Sequence, residues 1–587
     1  MAGYIPHGMI EKQYRWEWVN TQLYHYLNQT NPHANLKNVM SGLLQKQEAQ
    51  LSQLMRLASA HGIRPHLFPM HVEYQPFSKT VEELLHREEQ LLQEYMSYSV
   101  YFTPSHAFDS GLQFLVESQT AQVNALLALK NTLQQLEGAE QQAGYREQEY
   151  GSYFLEQGYK LEKVAGGLTY PTTMAFDDQG NIYIVEAGYA YGAPPGEGRI
   201  LRLGRGGQLT PVAGGFKGPV TGIICRGGYF YVAEGAIAGG DGPGCGKITR
   251  ISVDGSRRDI IVSGLPTCGD HFTGDVEFGP DGRLYFTVGT ATNSAVVGAD
   301  NAEWLKMHPR FHDTPARDVV LNGTNFVSPN PLTPEKDVAV TGVYKPFGTP
   351  SYDGEIVRGK GLANGVLYCC NPDGSGLQIV SDGFRNPFGL KFSPFNGKLY
   401  LTDNGADPRG SRQIRMDWDN FWEVTAFGWH GWPDFYSGLP VTLPHFHVEG
   451  QPKPTFVLKR HPALAGQPQV RFEHHSASHK FDFSTNRDFG YAGQIFVAQL
   501  GGLGFEEHEK LYGYKVVRAN IDTGQVRDFL VNPLGEANKR GPIRPVEAKF
   551  NPGGSVLYVV DFGILGSPIT GKPPQPNTGA LWRIKKV

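Results

Sequence analysis

Residues 386–406 read NPFGLKFSPFNGKLYLTDNGA. An apolar, small-residue strand comes first, then a turn of Pro, Asn and Gly, then an alternating strand that stops at Asp403-Asn404-Gly405. Side chains of a strand alternate between faces, so such a hairpin presents one apolar face to a partner layer. The phrase recurs as PTTMAFDDQGNIYIVEAG (171–188), GPVTGIICRGGYFYVAEGA (218–236), GDVEFGPDGRLYFTVGTA (274–291), FDFSTNRDFGYAGQIFVAQLG (481–501) and RPVEAKFNPGGSVLYVVDFG (544–563). A unit of this size cannot bury its own apolar face, and its copies must stack around a shared core. Six phrases therefore predict a six-bladed β-propeller. Outer strands are supplied by segments such as GRILRL (198–203), GKITRISVDG (246–255), NGVLYCCNPDG (364–374), GYKVVRANIDTG (513–524) and GALWRI (579–584). The spacing is uneven, with inserts at about 292–362 and 407–474, and inserts on one face commonly build a site.

A chain of 587 residues is too long for a single core and predicts two or more domains. Residues 1–137 are poor in Gly and Pro and carry apolar residues at three- and four-residue spacing. Four helices are predicted there, at roughly 9–29, 33–61, 78–99 and 104–137. The fold class expected is α+β multidomain: a four-helix bundle (1–137), a linker (138–157) and the propeller (158–587). Bundles can hold two metal ions on inward Glu and Glu-x-x-His groups. The pair Glu83 and His86 lies off the apolar stripe Val81, Leu84, Leu85, Leu92 and Tyr95, and Glu48 and Glu117 also lie off their helices' apolar faces. The bundle is therefore read as a docking or self-association element, with some resemblance to ferritin-like bundles, including those of bacterial spore coats.

A net charge of −4 with no basic stripe argues against a nucleic-acid partner. No apolar run is long enough for a transmembrane helix. The start MAGYIPHGMIEKQYRWEW lacks the pattern of a secretory signal, so a cytoplasmic or spore- or cell-surface-associated protein is expected. The five cysteines lack metal-ligand spacing and read as buried thiols, with a Cys245–Cys268 disulfide left open.

Propellers bind ligands at the mouth of the central channel, so polar groups at strand starts are the candidates. His271, after Asp270 and before an inner strand, could take a proton from a bound hydroxyl. Arg385 offers a planar fork for carboxylates and Asn386 both donates and accepts, although Arg385 could equally stitch neighbouring blades. The loop DNGADPRGSRQ (403–413), with Asp403, Asp407 and Asp419, offers hard oxygen ligands of the kind calcium takes. Trp422, Trp429, Trp432, Phe435 and Tyr436 could wall a sugar cleft or pack an insert. His475, His479 and Lys480 could also face the channel.

Together these phrases resemble the sorbosone/glucose dehydrogenase family of soluble quinoproteins over roughly residues 160–587. The matching pieces are His271 before GPDGRLY, Arg385-Asn386-Pro387, Gly431-Trp432-Pro433 and Arg544-Pro545-Val546. The resemblance implies a six-bladed propeller that binds pyrroloquinoline quinone (PQQ) with calcium and oxidises a sugar or related alcohol or aldehyde. It implies His271 as base, Arg385 and Asn386 as cofactor-binding residues and a calcium site at the Gly405–Ala406 turn, near Asp407 and Asp419; Lys480 is read as a further cofactor-binding cation. The chain departs from the pattern at Pro219-Val220-Thr221-Gly222, where relatives carry a Gln, and at Gln499–Gly504, which has no Arg or Lys. Two readings stay open: a PQQ-dependent sugar dehydrogenase, or a non-catalytic propeller serving as a binding or structural module in an assembly such as a spore coat.

Overall fold

The structure, a computed structural model, describes residues 7–30, 36–60, 77–99, 115–116, 118–130, 153–190, 196–235, 246–335, 337–503, 511–538, 540–566 and 572–587. Its Cα atoms cluster into two compact units that divide near residue 144.

The first unit is helical. Helices run over His7–Thr30, Lys37–Ala60 and Phe77–Ser99, and residues 118–130 are also helical. Leu23, Leu27, Met40, Leu43, Leu84, Leu92, Val123 and Leu126 are buried, as the three- and four-residue spacing requires. His86 is exposed, and Glu48 faces solvent opposite His25. Glu117 lies outside the described residues.

The second unit is a propeller-like arrangement of antiparallel sheets. Four sheets have four strands each, and a nine-stranded sheet divides at one parallel pairing, Lys480 with Glu547. Each recurring phrase supplies the innermost hairpin of one meander. The innermost strands Pro171–Phe176, Val220–Arg226, Thr273–Phe278, Pro387–Phe392, Ser478–Phe483 and Pro545–Phe550 adjoin one another in that order, and the last adjoins the first. Buried threonines stitch neighbours: Thr172 Oγ1 donates to Val220 O (2.6 Å), Thr221 to Thr273 O (2.6 Å), Thr287 to Pro387 O (2.6 Å) and Thr402 to His479 O (2.6 Å). The final sheet pairs Gly579–Lys586 with Tyr159–Leu168, so the chain's two ends of this unit close the ring together. Phe154–Leu155, inside the stretch read as linker, adds an outer strand to the preceding sheet.

The acid at the end of the second strand has a structural reason. Glu186 accepts from Thr169 N (2.7 Å), Glu234 from Lys217 N (3.1 Å), Asp403 from Asn386 N (2.6 Å) and Asp561 from Arg544 N (2.8 Å). Each carboxylate satisfies backbone donors at the point where the chain turns into its own innermost strand, where no ladder partner is left.

The interior of the ring is filled with ion pairs. Lys480, only 1% exposed, donates to Asp275 Oδ1 (2.7 Å) and Thr173 Oγ1 (3.0 Å), a reach from the fifth innermost strand to the third and the first. Lys391 lies 3.4 Å from Asp482 and 3.7 Å from Glu277, and Lys549 lies 2.8 Å from Glu547. Burial disfavours the Lys391 charge, but Asp482 and Glu277 outweigh it and hold its pKa up.

Among the described residues no helix is long and apolar enough to cross a membrane. Cys225, Cys369 and Cys370 are free thiols, Cys268 is buried, and Cys245 lies outside the described residues.

Candidate functional site

Asp270-His271, Arg385-Asn386 and His475 all precede innermost strands, and the 404–412 loop follows a second strand. In antiparallel hairpins these positions fall at one edge, which the backbone bonds confirm. Asp270 N donates to Ala291 O (2.9 Å), Thr290 N to Arg385 O (2.8 Å) and Asn404 N to Asn386 O (3.1 Å).

His271 is 7% exposed, and its Nδ1 lies 2.9 Å from the carbonyl oxygen of Thr290. A carbonyl only accepts, so Nδ1 carries the proton and Nε2 keeps its lone pair. Nε2 has no hydrogen-bond partner among the described residues. Burial, then the charges of Arg385 and Arg409, push the imidazole pKa well below its usual value. His271 is thus a neutral base at physiological pH. Gly289 makes room for it: a Cβ there would sit 2.5 Å from the His271 Cβ.

Arg385 is held flat. Its Nε donates to Asn293 O (3.1 Å), one Nη to Asn293 Oδ1 (2.7 Å) and Asp407 Oδ2 (3.2 Å), and the other to Asn404 O (3.2 Å). Asn386 Nδ2 donates to Asn404 Oδ1 (3.0 Å). Beside them stands Arg409, which bridges Asp270 (2.8 Å), Asp300 (2.9 Å) and Asp407 (3.4 Å). Those acids outweigh the desolvation of Arg409 and raise its pKa. Asp407 stays ionised despite burial, because His475, Arg385 and Arg409 hold its pKa down. Burial pushes Asp300 up to about 6, with Arg409 opposing the shift.

The Gly405–Ala406 turn is fixed by its donors. Gly405 N donates to Asp419 Oδ1 (3.0 Å) and Ala406 N to Asp417 Oδ2 (2.7 Å). Asp419 also accepts from Ser476 Oγ (2.9 Å) and Ser478 N (2.5 Å), so its carboxylate anchors the turn. Neither carbonyl of the turn accepts a hydrogen bond from the described residues, which leaves both for a hard cation. No group of three or more His, Cys, Asp or Glu among the described residues is set to hold a metal ion.

The structure therefore brings His271, Arg385, Asn386, Gly405, Ala406 and Asp407 to one rim. Lys480 lies deeper, on Asp275, and Asp419 lies behind the turn. His479 stacks on Phe388 at 3.9 Å, and burial lowers its pKa to about 3. Trp422 is buried in the core between sheet strands, against Leu390 and Leu401, and Trp429, Trp432 and Tyr436 are buried in the insert. Beside Trp429 and Trp432 remains a cavity of about 20 Å³, room for a water but not a sugar. Sequence reasoning missed Asn293, Asp300 and Arg409. The first two lie in an insert without a recurring phrase; Arg409 stood in DPRG, a loop read for its oxygens alone.

No family model matches the chain. A curated relative, quinoprotein glucose dehydrogenase B of Acinetobacter calcoaceticus, is 26% identical over 176 residues, which span 30% of this chain and 28% of that protein. The chain is also similar to the holo form of the PQQ domain of Coprinopsis cinerea pyranose dehydrogenase (16% identity, TM-score 0.45, 75% of this chain and 98% of that one). A calcium structure of a Trichoderma reesei protein of Carbohydrate-Active Enzymes Family AA12 gives 15% identity and a TM-score of 0.44 over 75% of this chain and 99% of that one.

Proposed function

We propose that the second unit is a six-bladed propeller acting as a PQQ-dependent dehydrogenase of sugars or related alcohols. The observation that carries this reading is the neutral His271, whose Nδ1–H is tied to Thr290 O while Nε2 stays unpartnered beside two guanidinium groups. The rim suits the cofactor. Arg385 and Arg409 supply planar cationic donors for its carboxylates, and Asn386 supplies a neutral donor–acceptor. The unclaimed carbonyls of Gly405 and Ala406 supply calcium ligands.

Bound there, PQQ would supply a two-electron acceptor for the hydride equivalent that leaves the substrate carbon. His271 Nε2 takes the hydroxyl proton, and Thr290 O steadies the resulting imidazolium through Nδ1–H. The salt bridges that hold Arg409 keep the guanidinium plane fixed before the ligand arrives, which lowers the ordering cost of binding. Residues 1–137 would form a four-helix bundle used for docking or self-association.

A second reading, a propeller that binds without catalysis, is favoured by one observation. Asp270, Asp300 and Asp407 already neutralise the two arginines, and Gln499–Leu503 adds no cation. One titration separates the readings. The protein is titrated with PQQ and calcium while the quinone absorbance is followed, and an aldose panel is then added with a redox dye. Saturable binding with dye reduction supports the dehydrogenase. Absence of binding at micromolar quinone refutes it and leaves the non-catalytic module.

A further inference from the structure

Inside the helical unit, two carboxylates are buried against side chains that carry no charge. Glu17 and Glu88 are both 0% exposed, as are Gln47, Gln50, Gln119 and Gln122. Gln47 Nε2 donates to Glu17 Oε2 (2.7 Å) and Gln50 Nε2 to Glu17 Oε1 (3.0 Å). Gln119 donates to the Glu88 carboxylate, and Gln122 Nε2 donates to Gln47 Oε1 (2.6 Å). The spacing is regular: one Glu from each of two helices, and a Gln-x-x-Gln pair from each of the other two helical segments. Positions three apart share a helix face, so each pair of amides points the same way.

This arrangement is expensive as it stands. Gln122 Oε1 is buried without a hydrogen-bond partner among the described residues. A buried amide oxygen left unpaired is costly and usually marks a missing partner. Carboxamides are two-ended, and a half-turn of the terminal torsion exchanges donor for acceptor.

We propose that this cluster is a divalent-cation site with oxygen ligands, holding a hard ion of the magnesium, calcium or manganese class between Glu17 and Glu88. Two carboxylates match a charge of +2, and four amide oxygens complete a six-oxygen set, the coordination such ions prefer. The absence of His and Cys from the set disfavours zinc and copper. The site is separate from the sheet rim, and its existence does not depend on the function proposed there.

The test uses manganese(II) on the full chain, freed of metal with a chelator and then dialysed against the ion. Wild type should retain one manganese more per chain than either Glu17→Gln or Glu88→Gln. An ion held at the sheet rim persists in both variants, so the difference reports the helical site alone. Gln122→Met, uncharged and of similar volume, should weaken the affinity by about tenfold or more with circular dichroism unchanged. Equal manganese in wild type and both glutamate variants overturns the site. So does a loss in Glu88→Gln that accompanies lost helicity while Gln122→Met binds as wild type does.

Discussion

The rim and the interior of the sheet ring use the same kinds of residue to different ends. In the interior Lys480, Lys391 and Lys549 each meet a carboxylate, and Lys480 is 1% exposed. At the rim Arg385 and Arg409 also meet carboxylates, but next to them His271 keeps a ring nitrogen unclaimed and the 405–406 turn keeps two carbonyls unclaimed. Interior charges are consumed in holding strands together; rim charges are held in place and leave neighbouring groups able to act. Depth along the innermost strand, a matter of a few residues, decides which outcome a polar side chain meets.

His271→Asn should break the comparison most sharply at the rim. Turnover should fall by about 10²–10⁴ with PQQ affinity and melting temperature unchanged, read by steady-state kinetics beside the cofactor titration. Unchanged turnover would mean that the free nitrogen is not the base. For the interior, Lys480→Met leaves Asp275 buried and unpaired, and should cost about 3–5 kcal/mol in urea unfolding. A loss of PQQ affinity without loss of stability would instead move Lys480 to the rim's account. Arg409→Lys keeps a charge but loses the fork that spans Asp270 and Asp300, so PQQ affinity should drop by about tenfold, a cost of roughly 1.4 kcal/mol. Gly289→Ala places a Cβ against His271 and should lower turnover while leaving calcium-dependent cofactor binding intact.

The smallest effect is one of pH. The His271 pKa is depressed in the folded protein, so below about 6.5 the unfolded chain takes up a proton that the folded one refuses. Stability from this group is present above that pH and declines as pH falls. The acid limb of the pH–rate profile should correspondingly lie well below the usual imidazole value. A limb at about 6.5 would show a His271 that is solvated rather than enclosed.

Much of this was legible in the sequence. The recurring phrases marked the innermost hairpins, and the acid that ends four of the six turned out to hold the incoming backbone. His271, Arg385 and Asn386 were readable because each immediately precedes such a strand. Lys480 was misplaced because polar residues on an innermost strand look alike until the register is known; its pairing with Asp275 crosses from one sheet to another far along the chain. Asp419 looked like a ligand because acids near a Gly-rich loop suggest calcium, yet its oxygens serve backbone donors. In the helical unit, attention to Glu and His overlooked Gln47, Gln50, Gln119 and Gln122, since glutamine on a helix ordinarily signals a solvated face.

The closing strand pair has a consequence in time. Tyr159–Leu168 waits for Gly579–Lys586, about 400 residues later in synthesis. At ~5–20 residues per second that delay is on the order of 20–80 s, during which an unpaired strand edge is open to other nascent chains. Completion of the ring therefore depends on a strand made long after its partner, and a chain interrupted before Gly579 is left with a ring that is open.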